Sequence, residues 1–281
     1  MRLLGRQLYS ELLKLFARKR TYLGFGAFLV VEALILLLLH LPQTKKMFTK
    51  AMTQHGLDFS YYFSGLTLAY VMLSYTVFLL GSLYLALVCG DIVSKEVEDG
   101  TMRMVLSRPI SRLRVLLLKY LTCVIYTWIL TLFIVCSSLL LGVVDKGLGG
   151  LIIIAPWEHL FVFYEAGEGL QRFALGTALL CCVMLTLSNL AFMFSCFDIK
   201  PATATILTLS FFLVDTVIKN VPYFEEIKVF FPTHHMAQWT QAFQTTIPWS
   251  DLFFSLIYLG SFDLLFLMIG GIYFCHRDFK S

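Results

Sequence analysis

The chain has 281 residues, of which 58% are hydrophobic and only 14% are charged. Its mean hydropathy is +0.79, whereas a soluble domain carries about 25% charged residues. These values exclude an ordinary soluble domain and predict an integral membrane protein. The formal net charge of +4 is too small to suggest nucleic-acid binding.

Residues 2–20 predict an amphipathic helix, because leucines recur at intervals of three and four residues opposite a basic and polar side. These leucines are Leu4, Leu8, Leu12 and Leu15. A basic amphipathic helix that leads directly into an apolar run is expected to lie flat in the cytoplasmic interface. The alternative is a simple positively charged anchor, and both alternatives place the N-terminus inside.

Six apolar runs are long enough to cross a bilayer as α-helices. They are predicted at 22–39, 66–88, 115–141, 173–194, 201–218 and 252–275. Lys and Arg favour the side that holds both termini over the other side by roughly two to one, which predicts cytoplasmic termini. The predicted fold class is therefore an all-α integral membrane protein that forms a single transmembrane domain over 1–281.

Three loops are predicted on the outer side, at 43–64, 142–171 and 219–250. The apolar run 151–157 is too short to span and is expected to lie in the outer interface. On the inner side, the first turns of the third span carry Arg112, Arg114 and Lys119. These side chains are expected to stand in the cytosol or to reach back to it.

Several kinds of chemistry are missing from the sequence. No Gly-Lys dipeptide occurs, so a GxxxxGK phosphate loop is absent, and neither HExxH nor GxSxG is present. The seven cysteines lie in or beside apolar runs and predict no disulfide framework. The adjacent His234 and His235 lack a third ligand at a convincing spacing, so no metal site and no cofactor is predicted.

Three acids lie inside the predicted spans, and these are Glu32, Asp215 and Asp263. An acid at the bilayer centre costs about 2.5–3.5 kcal/mol on insertion scales, so each should face protein or water. One hypothesis is a polar pathway, as in an ion- or proton-coupled carrier. The other is an interhelical hydrogen bond or a misplaced span boundary.

The stretch 89–119, which contains the cytosolic segment 91–112, is the longest strongly charged stretch away from the N-terminus. Its charges recur at helical spacing, Gly100 interrupts them, Pro109 ends the helix and Ser111 can cap the next one. The pattern predicts a short charged helix in water beside the membrane, followed by a turn into the third span.

This segment, GDIVSKEVEDGTMRMVLSRPISRLRVLLLKY, resembles the type-2 class of ATP-binding-cassette exporter permeases. Their first cytosolic loop often reads Ser-x-Glu, Gly-Thr, then Leu-Ser-x-Pro-Ile-Ser-Arg, with a Lys in the third span. The matching positions here are Ser94, Glu96, Gly100, Thr101, Leu106, Ser107, Pro109, Ile110, Ser111, Arg112 and Lys119. A basic elbow helix, six spans and a long outer loop before the last span also agree.

The resemblance implies that the segment around 91–103 is a coupling helix inserted in a groove of a separate ATPase subunit. The implied coupling residues are Ser94, Lys95, Glu96, Glu98, Asp99, Gly100, Thr101, Arg103, Pro109 and Arg112. It further implies two ATPase copies, a second permease half (a homodimer or a close relative), and a place in the inner or plasma membrane. The chain itself would not be catalytic.

Overall fold

The computed structural model describes residues 2–42, 63–107, 110–155 and 160–277. Within these ranges, six helices are long and apolar enough to cross a membrane. Spans one to six are, in order, Lys19–Leu39, Gly65–Glu98, Arg112–Lys146, Ala166–Cys196, Pro201–Lys219 and Trp249–His276. An amphipathic helix, the elbow helix, precedes them at Arg2–Phe16. The prediction of a helical membrane protein with six spans is confirmed.

Span four lies at the centre of the bundle and packs against spans two, three, five and six. Span one packs on spans two and three, and the elbow helix lies against span three. Glycine allows the closest of these approaches. A Cβ placed on Gly65 would lie 2.7 Å from the backbone carbon of Gly142, so only glycine lets spans two and three meet there.

Span two ends later than predicted. Its predicted end was Val88, but the helix continues to Glu98. It includes one π-helical turn at Val77–Gly81 and ends before Gly100, which has a φ of +71°. A glycine in the left-handed conformation commonly ends a helix. Span two contains no proline and no left-handed glycine before this point. The first part of the charged segment is thus the end of span two.

A β-hairpin interrupts the otherwise helical chain after span three. Strands β1 (Leu151–Ala155) and β2 (Leu160–Tyr164) pair antiparallel, with Ile153 opposite Val162. The apolar run was expected to lie in the membrane interface, but Leu151 and Ile153 are buried in the protein. Consecutive β-branched residues favour a strand here, and the amide of Ile152 donates to Thr67 Oγ1 at 3.0 Å.

The bundle has two ends. The terminal end holds the elbow helix, residues 99–107 and 110–111, the turn 197–200 and the end of span six. The hairpin end holds the β-hairpin and the short helices Pro222–Phe230, Pro232–Met236 and Ala237–Phe243. Most of the predicted loop 43–64 lies outside the described residues, as do Pro156, Trp157 and Pro109.

Candidate functional site

The charged segment forms a turn and a short helix at the terminal end. Gly100 donates its amide to the carbonyl of Val97 at 3.0 Å, and Thr101 Oγ1 donates to the carbonyl of Glu96 at 3.1 Å. A second helix, the tip helix, then runs over Thr101–Leu106. The predicted single helix over 91–103 is therefore two helices joined at Gly100.

An exposed face surrounds this turn, and we call it the coupling surface. Lys95 lies 2.8 Å from Glu98 and 3.2 Å from Asp99, which makes a mixed-charge cluster. Met104, on the tip helix that follows, is 66% exposed. The coupling surface consists of Lys95, Glu98, Asp99, Gly100, Arg103 and Met104.

Two residues of the predicted coupling set face inward instead. Ser94 is buried and donates its hydroxyl to the carbonyl of Gly90 at 2.6 Å. Its amide donates to Ser195 Oγ of span four at 3.1 Å. Glu96 is also buried, at 8% exposure. The backbone amide of Ser94 thus holds span two against span four, and both side chains lie inside the bundle.

Lys119 of span three lies at the centre of a buried ion network. Only 1% of it is exposed, and its Nζ lies 2.7 Å from Glu96 Oε2 and 3.2 Å from Glu11 Oε2. It also donates to the carbonyl of Ile92 at 3.3 Å. The expectation that Lys119 reaches back to the cytosol is therefore wrong, because carboxylates inside the protein neutralise it. The network joins the elbow helix, span two and span three.

Glu11 is the member of this network outside the membrane spans. Burial raises the pKa of the Glu11 carboxyl. The positive charges of Lys119 and Lys14 lower this pKa by a larger amount, so it lies below its usual value. Beside it, a cleft of about 120 Å³ opens between the elbow helix and the start of span three. It is lined by Gln7, Ser10, Glu11, Lys14, Val105, Ile110, Val115 and Leu118.

Two further arginines tie segments together at the terminal end. Arg20, at the start of span one, lies 3.3 Å from Asp91 of span two. Arg112 donates to the carbonyls of Cys275 and Arg277 at 2.9 and 2.8 Å, so it caps the end of span six. Arg112 thus links spans three and six, and it remains exposed.

The three acids of the spans each have a different polar neighbour. Glu32 faces the bundle interior with no exposed surface, and Ser137 is its polar neighbour. Asp215 accepts the amide of Thr233 at 2.9 Å near the hairpin end.

Asp263 lies half-buried in the middle of span six, where it faces span four. The structure therefore distributes the acids over separate helix contacts.

His235 is buried in the hairpin end, where both of its ring nitrogens have hydrogen-bond partners. Its Nδ1 lies 3.0 Å from Ser255 Oγ, and its Nε2 lies 2.8 Å from the carbonyl of Val229. These hydrogen bonds hold the imidazole ring in place within the protein. Among the described residues, no group of three His, Cys, Asp or Glu side chains has the geometry to hold a metal ion.

The pairing of Glu11 and Glu96 with Lys119 is the feature that sequence reasoning missed. Its signal was a lysine seven residues after Arg112, inside a run that is otherwise apolar. Such a lysine needs a carboxylate partner if it is not in water. Glu96 and Glu11 are 23 and 108 positions away from Lys119 along the chain, so the spacing could not identify them as its partners.

Comparison with known proteins gives two findings. Residues 7–215 match the sequence profile of a family described as "ABC-2 family transporter protein". The chain is also 28% identical over 108 residues to "Uncharacterized protein YhcI" of Bacillus subtilis (strain 168). That match covers 38% of this chain and 33% of the relative, so the chain aligns with about a third of that protein's length.

Proposed function

The chain belongs to the ABC-2 family of transporter proteins, and we propose that it is the permease subunit of an ATP-driven exporter. As a multi-pass membrane protein with no phosphate loop in its sequence, it would take ATP hydrolysis from a separate ATPase chain. The chain would then contribute movement and no catalysis of its own.

The observation that carries this proposal is a projecting surface braced by a buried network. The coupling surface lies at the end of span two, and Glu96 directly behind it pairs with Lys119 of span three. Removing one partner of a buried ion pair costs about 3–5 kcal/mol, so such a contact resists separation. A push on the coupling surface would therefore move spans two and three, and through Glu11 the elbow helix, as one body.

The coupling surface suits a groove of a folded partner. It presents exposed charges of both signs, from Glu98, Asp99 and Arg103, together with the exposed side chain of Met104. Charge complementarity gives an interface its orientation, and an apolar side chain at its centre contributes affinity. We propose two ATPase copies, a second permease half that is either this chain or a close relative, and a terminal end that faces the cytoplasm of an inner or plasma membrane.

The test introduces a carboxylate at the centre of the coupling surface with Met104→Glu. We expect the variant to insert and fold normally but to lose most ATPase that co-purifies with the tagged wild-type protein. The measurement is vanadate-sensitive ATP hydrolysis in the purified complex, together with the elution profile of the permease. Desolvating a carboxylate in an apolar contact gives the expected loss.

Tyr223→Glu provides the matched control, since Tyr223 is 86% exposed at the hairpin end and receives the same charge. It should retain wild-type ATPase. If Met104→Glu keeps full ATP hydrolysis while Tyr223→Glu removes it, the coupling surface is at the wrong end of the molecule and the proposal fails.

A further inference from the structure

The cleft beside Glu11 has a polar wall and an apolar wall, and we call it the elbow cleft. The elbow helix supplies the polar wall, which consists of Gln7, Ser10, Glu11 and Lys14. The tip helix and the start of span three supply the apolar wall, which consists of Val105, Ile110, Val115 and Leu118. The volume of about 120 Å³ holds on the order of ten water-sized groups, because one water needs about 10–15 Å³. The elbow cleft therefore suits a headgroup better than a single ion or water molecule.

The elbow cleft lies at the depth where lipid headgroups meet their acyl chains. Leu118 is six residues into span three, about 9 Å along the helix axis from the exposed Arg112. The headgroup layer on each side of a bilayer is about 5–8 Å thick. With Arg112 at the membrane surface, an apolar wall that begins at Ile110 and reaches Leu118 passes through this layer into the hydrocarbon.

The apolar wall continues into surface that faces lipid. Leu121 lies one helical turn beyond Leu118 and is 44% exposed, and Leu117 is 42% exposed. Exposed leucines on a membrane span contact acyl chains. A lipid whose headgroup occupies the elbow cleft can therefore lay an acyl chain along span three.

Two cations beside the cleft can hold a phosphate. Lys14 Nζ lies 2.6 Å from Glu11 Oε1, but its side chain is 50% exposed and an ammonium has three donors. Arg114 lies one turn before Leu118 on the same side of span three. Among the described residues, Arg114 forms no ion pair and its Nε is buried without an acceptor. The charge of Glu11 is compensated by Lys14 and, at 3.2 Å, by Lys119.

We propose that the elbow cleft binds one anionic phospholipid from the leaflet at the terminal end. The phosphate accepts hydrogen bonds from Lys14 and Arg114, and an acyl chain lies against Val115, Leu118 and Leu121. A zwitterionic lipid would bring its ammonium group close to the same two cations, so an anionic headgroup is favoured. The bound lipid joins the elbow helix to span three at the surface of the protein, as the buried ion network does inside it. This inference does not depend on the ATPase partner.

The test is native mass spectrometry of the full-length protein in detergent, titrated with phosphatidylglycerol or phosphatidylcholine that carry the same acyl chains. We expect one phosphatidylglycerol to bind more tightly than phosphatidylcholine. The double variant Lys14→Gln, Arg114→Gln should bind phosphatidylglycerol about 25-fold more weakly, because each Lys or Arg near a membrane surface contributes about fivefold. Lys200→Gln is the matched control, since it removes an exposed lysine from the turn 197–200 at the same end, and it should bind as the wild type does.

Three results of this titration would overturn the proposal. Equal binding of the two lipids would mean that the headgroup is not recognised. A loss in Lys200→Gln as large as in the double variant would assign the binding to the general positive charge of the terminal end. Displacement of the lipid by glycerophosphoglycerol, the headgroup without acyl chains, at equal concentration would identify a soluble phosphate compound as the ligand.

A second measurement does not depend on the folding of a charge variant. A diazirine analogue of leucine at position 118 keeps the shape of Leu118, and irradiation of native membranes then marks what lies against it. We expect adducts of anionic phospholipid, enriched over those formed by the same analogue at Leu213, which is 66% exposed on span five. The same lipid mixture at both positions would contradict the proposal. A cross-link from position 118 to an ATPase chain would identify a protein as the occupant and would also overturn it.

Discussion

At the scale of single residues, Lys119 does the most to organise the terminal end. Its ammonium is buried between Glu96 and Glu11, which belong to different helices. A buried ion pair adds little net stability compared with apolar side chains of similar size, but it is costly to break. The network therefore acts mainly as a joint that keeps three helices in one arrangement.

We predict that Lys119→Met destabilises the protein by about 3–5 kcal/mol, because it leaves two buried carboxylates without a cation. The measurement is denaturant unfolding in detergent micelles. The triple variant Lys119→Met, Glu96→Gln, Glu11→Gln should recover most of the loss, since no charge is left unpaired. Lys95→Ala, which removes a partly exposed lysine whose ion pairs lie at the surface, should change little. Equal stability of the single variant and the wild type would show that Lys119 is not neutralised by these acids.

We expect His235 to make the stability of the hairpin end depend on pH. Burial lowers the pKa of His235 below its usual value, and the hydrogen bond to Val229 opposes only part of that shift. The pKa of the neighbouring His234 is also lowered, first by burial and then by the charge of His235. A lowered pKa means that the folded state favours the neutral ring. The stability is complete above the ordinary pKa of histidine and is lost as the pH falls through the folded-state pKa.

We therefore expect the melting temperature of the wild-type protein to fall between about pH 7 and about pH 5. His235→Asn should be less stable at neutral pH but should show a smaller change over this range. His276→Asn, which changes an exposed histidine at the terminal end, should keep the wild-type pH dependence. A slope in His235→Asn as steep as that of the wild type would assign the pH sensitivity to other groups.

At the scale of elements, the contact between spans two and three depends on two glycines. A Cβ on Gly65 would lie 2.7 Å from the backbone carbon of Gly142 and 2.7 Å from the backbone nitrogen of Val143. Backbone atoms of a packed helix cannot rotate aside as a side chain can. The amide of Gly65 also donates to the carbonyl of Gly147 at 2.9 Å, which fixes the start of span two.

Gly65→Ala should destabilise the protein by about 1–3 kcal/mol through overpacking. Gly26→Ala is the matched control in span one, where an added Cβ meets nothing within 4 Å. It should be neutral or stabilising by up to about 1 kcal/mol, because alanine is the better helix former. Both values come from the same denaturant series. A Gly65→Ala protein as stable as the control would mean that the two helices can separate freely at this point.

At the scale of the whole molecule, apolar side chains cover the outside of the bundle while ion pairs concentrate at the terminal end. Large exposed residues such as Leu37 of span one and Leu213 of span five are 65% and 66% exposed. A surface of this kind is stable in lipid or against another apolar chain, not in water. The polar ends then define which parts of the chain meet water on each side.

The two-sided arrangement predicts the labelling of single cysteines in a variant without native cysteines. Ser107→Cys, beside the tip helix, should react with a membrane-impermeant maleimide only after the cytoplasmic side is opened. Glu226→Cys, at the hairpin end, should react in intact cells. Reaction of Ser107→Cys in intact cells would contradict the predicted orientation, in which the terminal end, with its excess of Lys and Arg, faces the cytoplasm.

The membrane class and the number of spans followed from sequence, because lipid requires long apolar helices whose backbone groups are satisfied internally. Composition also directed attention to 91–112, since a charged stretch between two spans must lie in water. The same local signals could not show that span two continues to Glu98, because that depends on packing against Ser195 of span four.

Only the tertiary structure decided which of the charged residues are exposed and which are buried in the protein. Glu96 and Glu98 are two positions apart on one helix, yet one is buried against Lys119 and the other is exposed. Their roles depend on where span three and the elbow helix lie, and those positions result from contacts between residues far apart in the chain. The depth and surroundings of Asp263 were decided in the same way, by the packing of spans three and four against span six.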